Sequence, residues 1–447
     1  MNKRYFGTDG IRGTVNSGAM TPEVAMRIGM AAGRYFCRGD HRHRIVIGKD
    51  TRLSGYMLEP ALVAGFVAVG MDVIQVGPMP TPAIAMLTKS FRADLGVMLT
   101  ASHNQYEDNG VKLFGPDGYK LSDEAEYEIE QMMDNGLEDH LAPPTATGRA
   151  KRLEDVSGRY TEHVKNTLPS GFTLEGMKVV IDCANGAGYK AAPTVLTELG
   201  AEVLAFGISP NGKNINKKCG STYPEYMCDL VRKHKADLGL ALDGDADRVL
   251  IADDKGVLTD GDQLMGFVAA AWAKEGRLKG NTLVATEMSN MGLDKYLKKF
   301  KVDVIRTSVG DRYVVEALRE KGLNLGGEQS GHIVFGDYST TGDGIIAALQ
   351  VMKLIKESGK KSSDVLHVFK PYPQILKSAR YSCPSALENS EVKKRVRDME
   401  EKLGKDSRLL IRKSGTEPVI RVMAEGEDRA LLESVVRDIC ETVENVA

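Results

Sequence analysis

The eight residues Ala93-Asp94-Leu95-Gly96-Val97-Met98-Leu99-Thr100 return almost in step as Ala236-Asp237-Leu238-Gly239-Leu240-Ala241-Leu242-Asp243. A fainter third copy runs from Leu323 to Ser330 and continues into Ile333-Val334-Phe335-Gly336. Short apolar runs that stop abruptly in small and polar residues read as buried strands. After the two clearer copies, the pattern of strand, Gly-containing turn and strand repeats over Val111 to Lys120 and over Val249 to Leu258. The openings match as well. Arg44 to Gly48, Lys178 to Asp182 and Thr282 to Ala285 each read as a strand followed by a turn and a helix. Self-similarity at this scale constrains a fold more than local propensity does. It predicts an α/β protein of three related α/β domains with mixed sheets, each offering one loop from the same topological place. In such sheets, chemistry collects at the carboxyl ends of the strands.

A smaller α+β domain is expected to follow. From Pro371 onward the pattern gives two short strands, Ile375 to Ser382 and Leu409 to Lys413, and two amphipathic helices, Ser390 to Leu403 and Arg429 to Glu444. The Pro/Gly/Thr-rich stretch from Gly136 to Gly158 reads as a linker. Thr21-Pro22 and Thr81-Pro82 both carry the signature of a helix start, with Thr as N-cap and Pro in the first turn. The expected domains are 1–150, 151–256, 257–368 and 369–447, in keeping with a chain of 447 residues.

Composition narrows the classes. A net charge of −2 leaves no basic footprint for nucleic acid. The run Leu264 to Ala273 is too short to span a bilayer and reads as a core helix. The six cysteines are scattered with no C-x-x-C pair, and no apolar leader precedes Tyr5. The expectation is a soluble cytoplasmic protein with reduced thiols and no membrane partner.

Four loops carry chemistry-bearing residues. Thr100-Ala101-Ser102-His103-Asn104 ends a strand and offers Ser102 as a nucleophile, or is simply a hydrogen-bonding turn. Asp243-Gly244-Asp245-Ala246-Asp247-Arg248 turns three carboxylates one way, and oxygen-only ligation at that spacing suits Mg²⁺. An EF-hand would need Gly where Arg248 stands and Glu where Asp254 stands; a solvated acidic turn is the plainer alternative. Gly327-Glu328-Gln329-Ser330-Gly331-His332 supplies the donors and acceptors that sugar hydroxyls need, or forms a structural turn. Arg412-Lys413-Ser414-Gly415-Thr416-Glu417-Pro418, with Arg421 after it, is a phosphate cradle or a Gly turn. Arg12 and Lys112 are ambiguous taken singly. Two apparent nucleotide motifs are set aside. Gly186 to Ala191 lies three residues beyond its strand and lacks the acidic residue after the next one, and Gly207 to Lys213 is followed by Asn214 where a P-loop needs Ser or Thr.

Taken in order with Gly7 to Gly13, these loops resemble the motifs of the α-D-phosphohexomutase family, and the Glu-Gln-Ser-Gly-His of the third loop resembles its glucosamine branch. The resemblance covers essentially the whole chain. It implies four domains around a central cleft and interconversion of glucosamine 6-phosphate and glucosamine 1-phosphate in amino-sugar and envelope-precursor synthesis. Ser102 is then the phosphoserine, and a glucosamine or glucose 1,6-bisphosphate is the intermediate and activator. One Mg²⁺ would be held by Asp243, Asp245, Asp247 and a phosphoserine oxygen. Arg12, His103, Lys112 and Arg248 would surround the transferred group, with Lys112 as acid or base. Glu328, Gln329 and Ser330 would meet the sugar, and Arg412, Ser414, Gly415, Thr416 and Arg421 the resting phosphate. A homodimer, and an activating protein kinase as one source of the first phosphate, belong to the same expectation. Relatives of the phosphomannomutase type carry His where Asp311 follows Val309-Gly310, so the base stays open between Lys112, Asp311 and another group. A phosphomannomutase or phosphoglucomutase is the near alternative, and a non-catalytic sugar-phosphate sensor the distant one.

Overall fold

The computed structural model describes residues 3–7, 9–381, 386–404, 406–413 and 419–445. In chain order the first strands are β1 (Phe6–Gly7), β2 (Gly10–Thr14), β3 (Arg44–Lys49), β4 (Asp72–Pro78), β5 (Leu95–Leu99), β6 (Asp108–Phe114) and β7 (Ala150–Arg152), which form one sheet in the order β1-β2-β6-β5-β3-β4-β7. The second sheet contains β8 (Lys178–Asp182), β9 (Glu202–Phe206), β10 (Leu238–Leu242), β11 (Val249–Ala252) and β12 (Leu258–Thr259), ordered β12-β11-β10-β8-β9. The third contains β13 (Thr282–Thr286), β14 (Asp303–Thr307), β15 (Leu325–Gly327) and β16 (Ile333–Phe335), ordered β14-β13-β15-β16.

The repeat seen in the sequence is a repeat of pairing. The opening strands β3, β8 and β13 lie parallel to β5, β10 and β15, and these pair antiparallel with β6, β11 and β16. All three sheets are therefore mixed. The loops after β5, β10 and β15 occupy one topological place, each at the carboxyl end of a strand with helices covering the sheet. That covering explains why β5, β10 and β13 are buried at every position and read as unbroken apolar runs. Each fully buried Leu, Val or Ile there contributes roughly 1.5–3 kcal/mol relative to exposure.

Local signals hold in most places. Thr21 caps the helix Pro22–Phe36 by accepting from Val24 N, an arrangement typically contributing about 1 kcal/mol. The run expected as a core helix lies within Gly261–Lys274, capped by Asp260. Thr81 departs from its expected role. It is the first residue of the helix Thr81–Ser90, behind Pro80, and its hydroxyl is spent elsewhere. The expected linker holds more than linker: a 3₁₀ turn at Leu137–His140 and β7, which adds an edge strand parallel to β4.

Contacts divide the chain into two compact units, Met1–Thr286 with Val302–Val368, and Glu287–Lys301 with Phe369–Ala447. The second unit has a sheet of three strands where two were expected: β17 (Gln374–Arg380), β18 (Arg408–Lys413) and β19 (Val419–Glu425), with β19 in the middle. The unexpected strand is β19, a largely apolar run that begins directly after Pro418, where the expected phosphate loop ends, and contains that loop's Arg421. The helices Ser390–Leu403 and Arg429–Asn445 fall where the periodicity puts them. The excursion Glu287–Lys301, with its helix Met291–Lys298, packs in this unit, where Met291 N donates to Glu425.

Among the described residues no helix is long and apolar enough to cross a membrane. Cys37, Cys183, Cys219, Cys228 and Cys440 are free thiols, and Cys383 lies outside the described residues.

Candidate active site

Ser102 sits just past the carboxyl end of β5, with φ at +51° and its side chain buried. A non-glycine residue in that conformation is strained unless its surroundings hold it. Here they do. Thr100 Oγ1 accepts from Ser102 N at 2.9 Å and donates to Asp50 Oδ2 at 2.7 Å. The fully buried Arg52 donates at 2.9 Å to the carbonyls of Ser102 and Asn104, and also to those of Gln105 and Asp108. Asn216 Nδ2 reaches the Ser102 carbonyl as well, at 2.8 Å. Asp50 keeps the guanidinium in place through Nε at 2.8 Å.

The hydroxyl of Ser102 points at the second loop, where it donates to Asp243 Oδ2 at 2.7 Å. That approach depends on Gly244, because a Cβ there would stand 2.5 Å from the Ser102 carbonyl oxygen. Gly186 allows the matching approach behind it: Ala187 N donates to the Gly244 carbonyl at 2.8 Å, and a Cβ on Gly186 would meet that oxygen at 2.3 Å. The glycines that imitate a nucleotide motif thus have a packing reason. Ala246, at φ +57°, turns the chain so that Asp243, Asp245 and Asp247 converge, with one oxygen of each within 4.8 Å of the others.

These carboxylates are buried, and their partners are unevenly placed. Asp245 Oδ2 accepts from Thr81 Oγ1 at 2.5 Å and from Lys112 Nζ at 2.9 Å. Asp247 Oδ2 lies 3.1 Å from the same ammonium. Oδ1 of Asp245 and Oδ1 of Asp247 are buried with no hydrogen-bond partner, a costly arrangement that a bound cation would relieve. An oxygen-only set with spare carboxylate oxygens suits Mg²⁺. Burial, then the charges of Asp247 and Asp245, push the Asp243 carboxyl well above its usual range. Burial alone would lower the Lys112 ammonium, but Asp245, Asp247 and Asp9 outweigh it and hold the group firmly charged.

Further basic groups ring the loops. Arg12 pairs with Asp9, whose carboxylate also meets Lys120 and stands 3.3 Å from Lys112. Lys120 bridges to Asp311, and His332 Nε2 lies 3.5 Å from that carboxylate. Arg248 donates to His103 Nδ1 at 3.2 Å, so this nitrogen is the unprotonated one. Burial, Arg248 and Arg12 lower the His103 pKa to about 4, leaving a neutral imidazole 3.5 Å from Ser102 Oγ.

The third loop is tied to this cluster, since Val249 N, next to Arg248, donates to the Gly331 carbonyl at 3.1 Å. Burial raises the pKa of Glu328. Ser330 is exposed. Gln329 donates its amide to Asp260 at 3.3 Å, the carboxylate that caps Gly261–Lys274. Within the second unit, Arg412 and Arg421 face each other across β18 and β19; burial and then Arg421 lower the pKa of Arg412. Ser414, Gly415 and Thr416 lie outside the described residues.

Residues 3–140, 158–256 and 260–372 match the phosphoglucomutase/phosphomannomutase alpha/beta/alpha domains I, II and III, and residues 377–442 match the C-terminal domain. The chain belongs to the phosphoglucomutase/phosphomannomutase family. It is 62% identical over 447 residues, all of both chains, to the phosphoglucosamine mutase of Parvibaculum lavamentivorans. With the phosphoglucosamine mutase of Granulibacter bethesdensis it shares 58% over 441 residues, covering 99% of this chain and 96% of that one. A solved family structure from Burkholderia thailandensis superposes with a TM-score of 0.81 at 23% identity, covering 98% and 97% of the two chains. The Aspergillus fumigatus N-acetylphosphoglucosamine mutase, solved with GlcNAc-6P and magnesium, superposes at a TM-score of 0.69 and 18% identity, covering 99% and 96%.

Within this family fold, the motif reading missed several residues that hold the loops. Asp50 and Arg52 follow β3 in the way that Ser102 follows β5, so position alone could have pointed to them. Thr81 carried a signal with two meanings, of which the cap was the wrong one. Lys120 and Asp9 had no pattern of their own.

Proposed function

We propose that this protein interconverts glucosamine 6-phosphate and glucosamine 1-phosphate through a phosphorylated Ser102 and a hexosamine 1,6-bisphosphate intermediate. The observation that carries the reading is Ser102 Oγ at 2.7 Å from Asp243, beside two carboxylates with unpartnered oxygens. The substrate class is supported by relatives 56–62% identical over the full chain that are named phosphoglucosamine mutase.

In the forward half-reaction a sugar hydroxyl attacks the phosphoserine phosphorus. The bond from phosphorus to Ser102 Oγ breaks, the leaving serine oxygen takes a proton from Lys112, and the hydroxyl proton passes to Lys112 once it has given its own. The second half-reaction returns the other phosphoryl group to Ser102 Oγ. Asp243, Asp245, Asp247 and a phosphoserine oxygen would hold one Mg²⁺, which supplies charge neutralisation for the transferring group. Arg12 and Arg248 add fixed positive charge. Lys112, kept protonated by its three carboxylates, donates to the serine oxygen as it leaves and cannot accept a proton before it has given one. The neutral His103 accepts from Arg248 at Nδ1, the nitrogen 3.5 Å from Ser102 Oγ, and so links that guanidinium to the serine. Glu328, Gln329 and Ser330 meet the sugar, while Arg412, Ser414, Gly415, Thr416 and Arg421 hold the phosphate that is not reacting. The division at 1–150, 151–256, 257–368 and 369–447, a homodimeric state and a cytoplasmic location complete the proposal, as does a first phosphate supplied by a sugar bisphosphate or a protein kinase.

The test is to incubate the protein with glucose 1,6-bisphosphate and Mg²⁺ and map the modified peptide by mass. One phosphoryl group on Ser102, absent from Ser102→Ala along with turnover, is the expected result. Turnover that survives in Ser102→Ala would overturn the proposal.

A further inference from the structure

The amino-terminal edge of the first sheet, opposite the catalytic loops, holds a second group of ligating side chains. His43 precedes β3 and Asp94 precedes β5; these strands are parallel neighbours, so the two residues meet at one edge. Asp94 Oδ2 accepts from Arg44 N at 2.9 Å, which fixes the carboxylate and turns Oδ1 toward two imidazoles. His41 Nε2 lies 2.8 Å from Oδ1 and His43 Nδ1 lies 3.6 Å from it. The rings stand 4.2 Å apart, centroid to centroid, at 62°. The three ligand atoms fall within 4.8 Å of one another.

We propose that His41, His43 and Asp94 bind a first-row divalent metal of the Zn²⁺ type. Tetrahedral ligands at about 2.0–2.1 Å from zinc stand roughly 3.3 Å apart. The observed 2.8 and 3.6 Å from Asp94 Oδ1 to the two imidazole nitrogens bracket that spacing. His43 Nδ1 is buried and has no hydrogen-bond partner, and the ring as a whole is only 12% exposed. A nitrogen lone pair in that position is explained by a ligand. The neighbouring Arg42 is spent on Asp72 through bonds of 2.8 and 2.6 Å. Two imidazoles and one carboxylate favour zinc over magnesium, which separates this site from the aspartate triad by chemistry. His41 and His43 also line a hollow of about 520 Å³, together with Cys37 and His140, which has room for a water or a further ligand.

The five residues of β5, roughly 17 Å at the usual rise, and then Thr100 and Ala101 separate Asp94 from Ser102. The metal therefore ties the amino ends of β3 and β5 together and acts on stability. Zinc binding to the full-length protein, measured by equilibrium dialysis in excess Mg²⁺, tests this. The wild type is expected to retain one Zn²⁺ per chain more than His43→Ala, and to gain several degrees in Tm with Zn²⁺ that this variant does not gain. His41→Ala, whose side chain is 55% exposed, is expected to weaken zinc binding at least tenfold with turnover in Mg²⁺ unchanged. Equal zinc content in the wild type and in His41→Ala, or no zinc retained by the wild type, would overturn the proposal.

Discussion

Lys112 Nζ lies 2.9 Å from Asp245 Oδ2, a buried ion pair between the sheet that carries Ser102 and the loop that gathers the three aspartates. The ammonium is shared with Asp247 at 3.1 Å and Asp9 at 3.3 Å, and it is almost completely buried. A charge so placed offsets part of the carboxylates' charge before any cation arrives. Removing it strands them. Lys112→Met is expected to cost about 3–5 kcal/mol of stability in chelator, and Mg²⁺ should restore part of that loss. Thermal unfolding with EDTA and with Mg²⁺ checks both. No loss in chelator would mean that the ammonium is not the group that holds the triad.

Asp243 gives the cation a pH dependence. Burial and its two neighbours raise its pKa above the ordinary 3.8, so below that value its neutral form sits in the fold without penalty. That contribution is lost as pH rises through the raised pKa, where the carboxylate forms against the charges of Asp245 and Asp247. A bound cation needs the carboxylate and displaces the proton. The rise in Tm on adding Mg²⁺ is therefore expected to be larger at about pH 8 than at about pH 5.5. Asp243→Asn should flatten this difference. Differential scanning fluorimetry at the two pH values measures it, and an effect of equal size at both would contradict the assignment.

Arg52 touches no reacting atom, yet it holds two carbonyls of the Ser102 loop at 2.9 Å and shares its own charge with Asp50. Replacing it leaves Asp50 buried without its counter-ion and frees a strained serine to relax. Arg52→Met is expected to lose about 3–5 kcal/mol of stability and at least about tenfold in kcat, with KM changed little, because sugar binding does not pass through this loop. Steady-state kinetics at a temperature where the variant is folded separates the two parameters. A loss confined to KM would place Arg52 in substrate binding instead.

The main features of the fold were legible because the repeat is written in contiguous residues: an apolar strand, then its loop. The convergence of the Ser102 loop on Asp243, Asp245 and Asp247 could be expected for the same reason, since each loop is a few neighbouring residues at a strand end. What escaped was made by distance. Thr81 reaches Asp245 across 164 residues, and Lys120 bridges Asp9 and Asp311, pairs that no local pattern announces. β7 is three residues inside a stretch rich in turn formers, and β19 begins directly after the loop read as a phosphate cradle. The packing of Glu287–Lys301 with the C-terminal residues is likewise a tertiary choice, because its helix is as amphipathic as any other surface helix.

The central claim is the substrate. Turnover of glucosamine 6-phosphate, glucose 6-phosphate and mannose 6-phosphate should be measured in parallel, with Mg²⁺ and a trace of sugar bisphosphate. The account predicts a clear preference in kcat/KM for the amino sugar, lost by at least about 10³-fold in Ser102→Ala. A preference for glucose or mannose phosphate would contradict the glucosamine assignment, and no turnover on any of the three would leave a sugar-phosphate sensor as the better account.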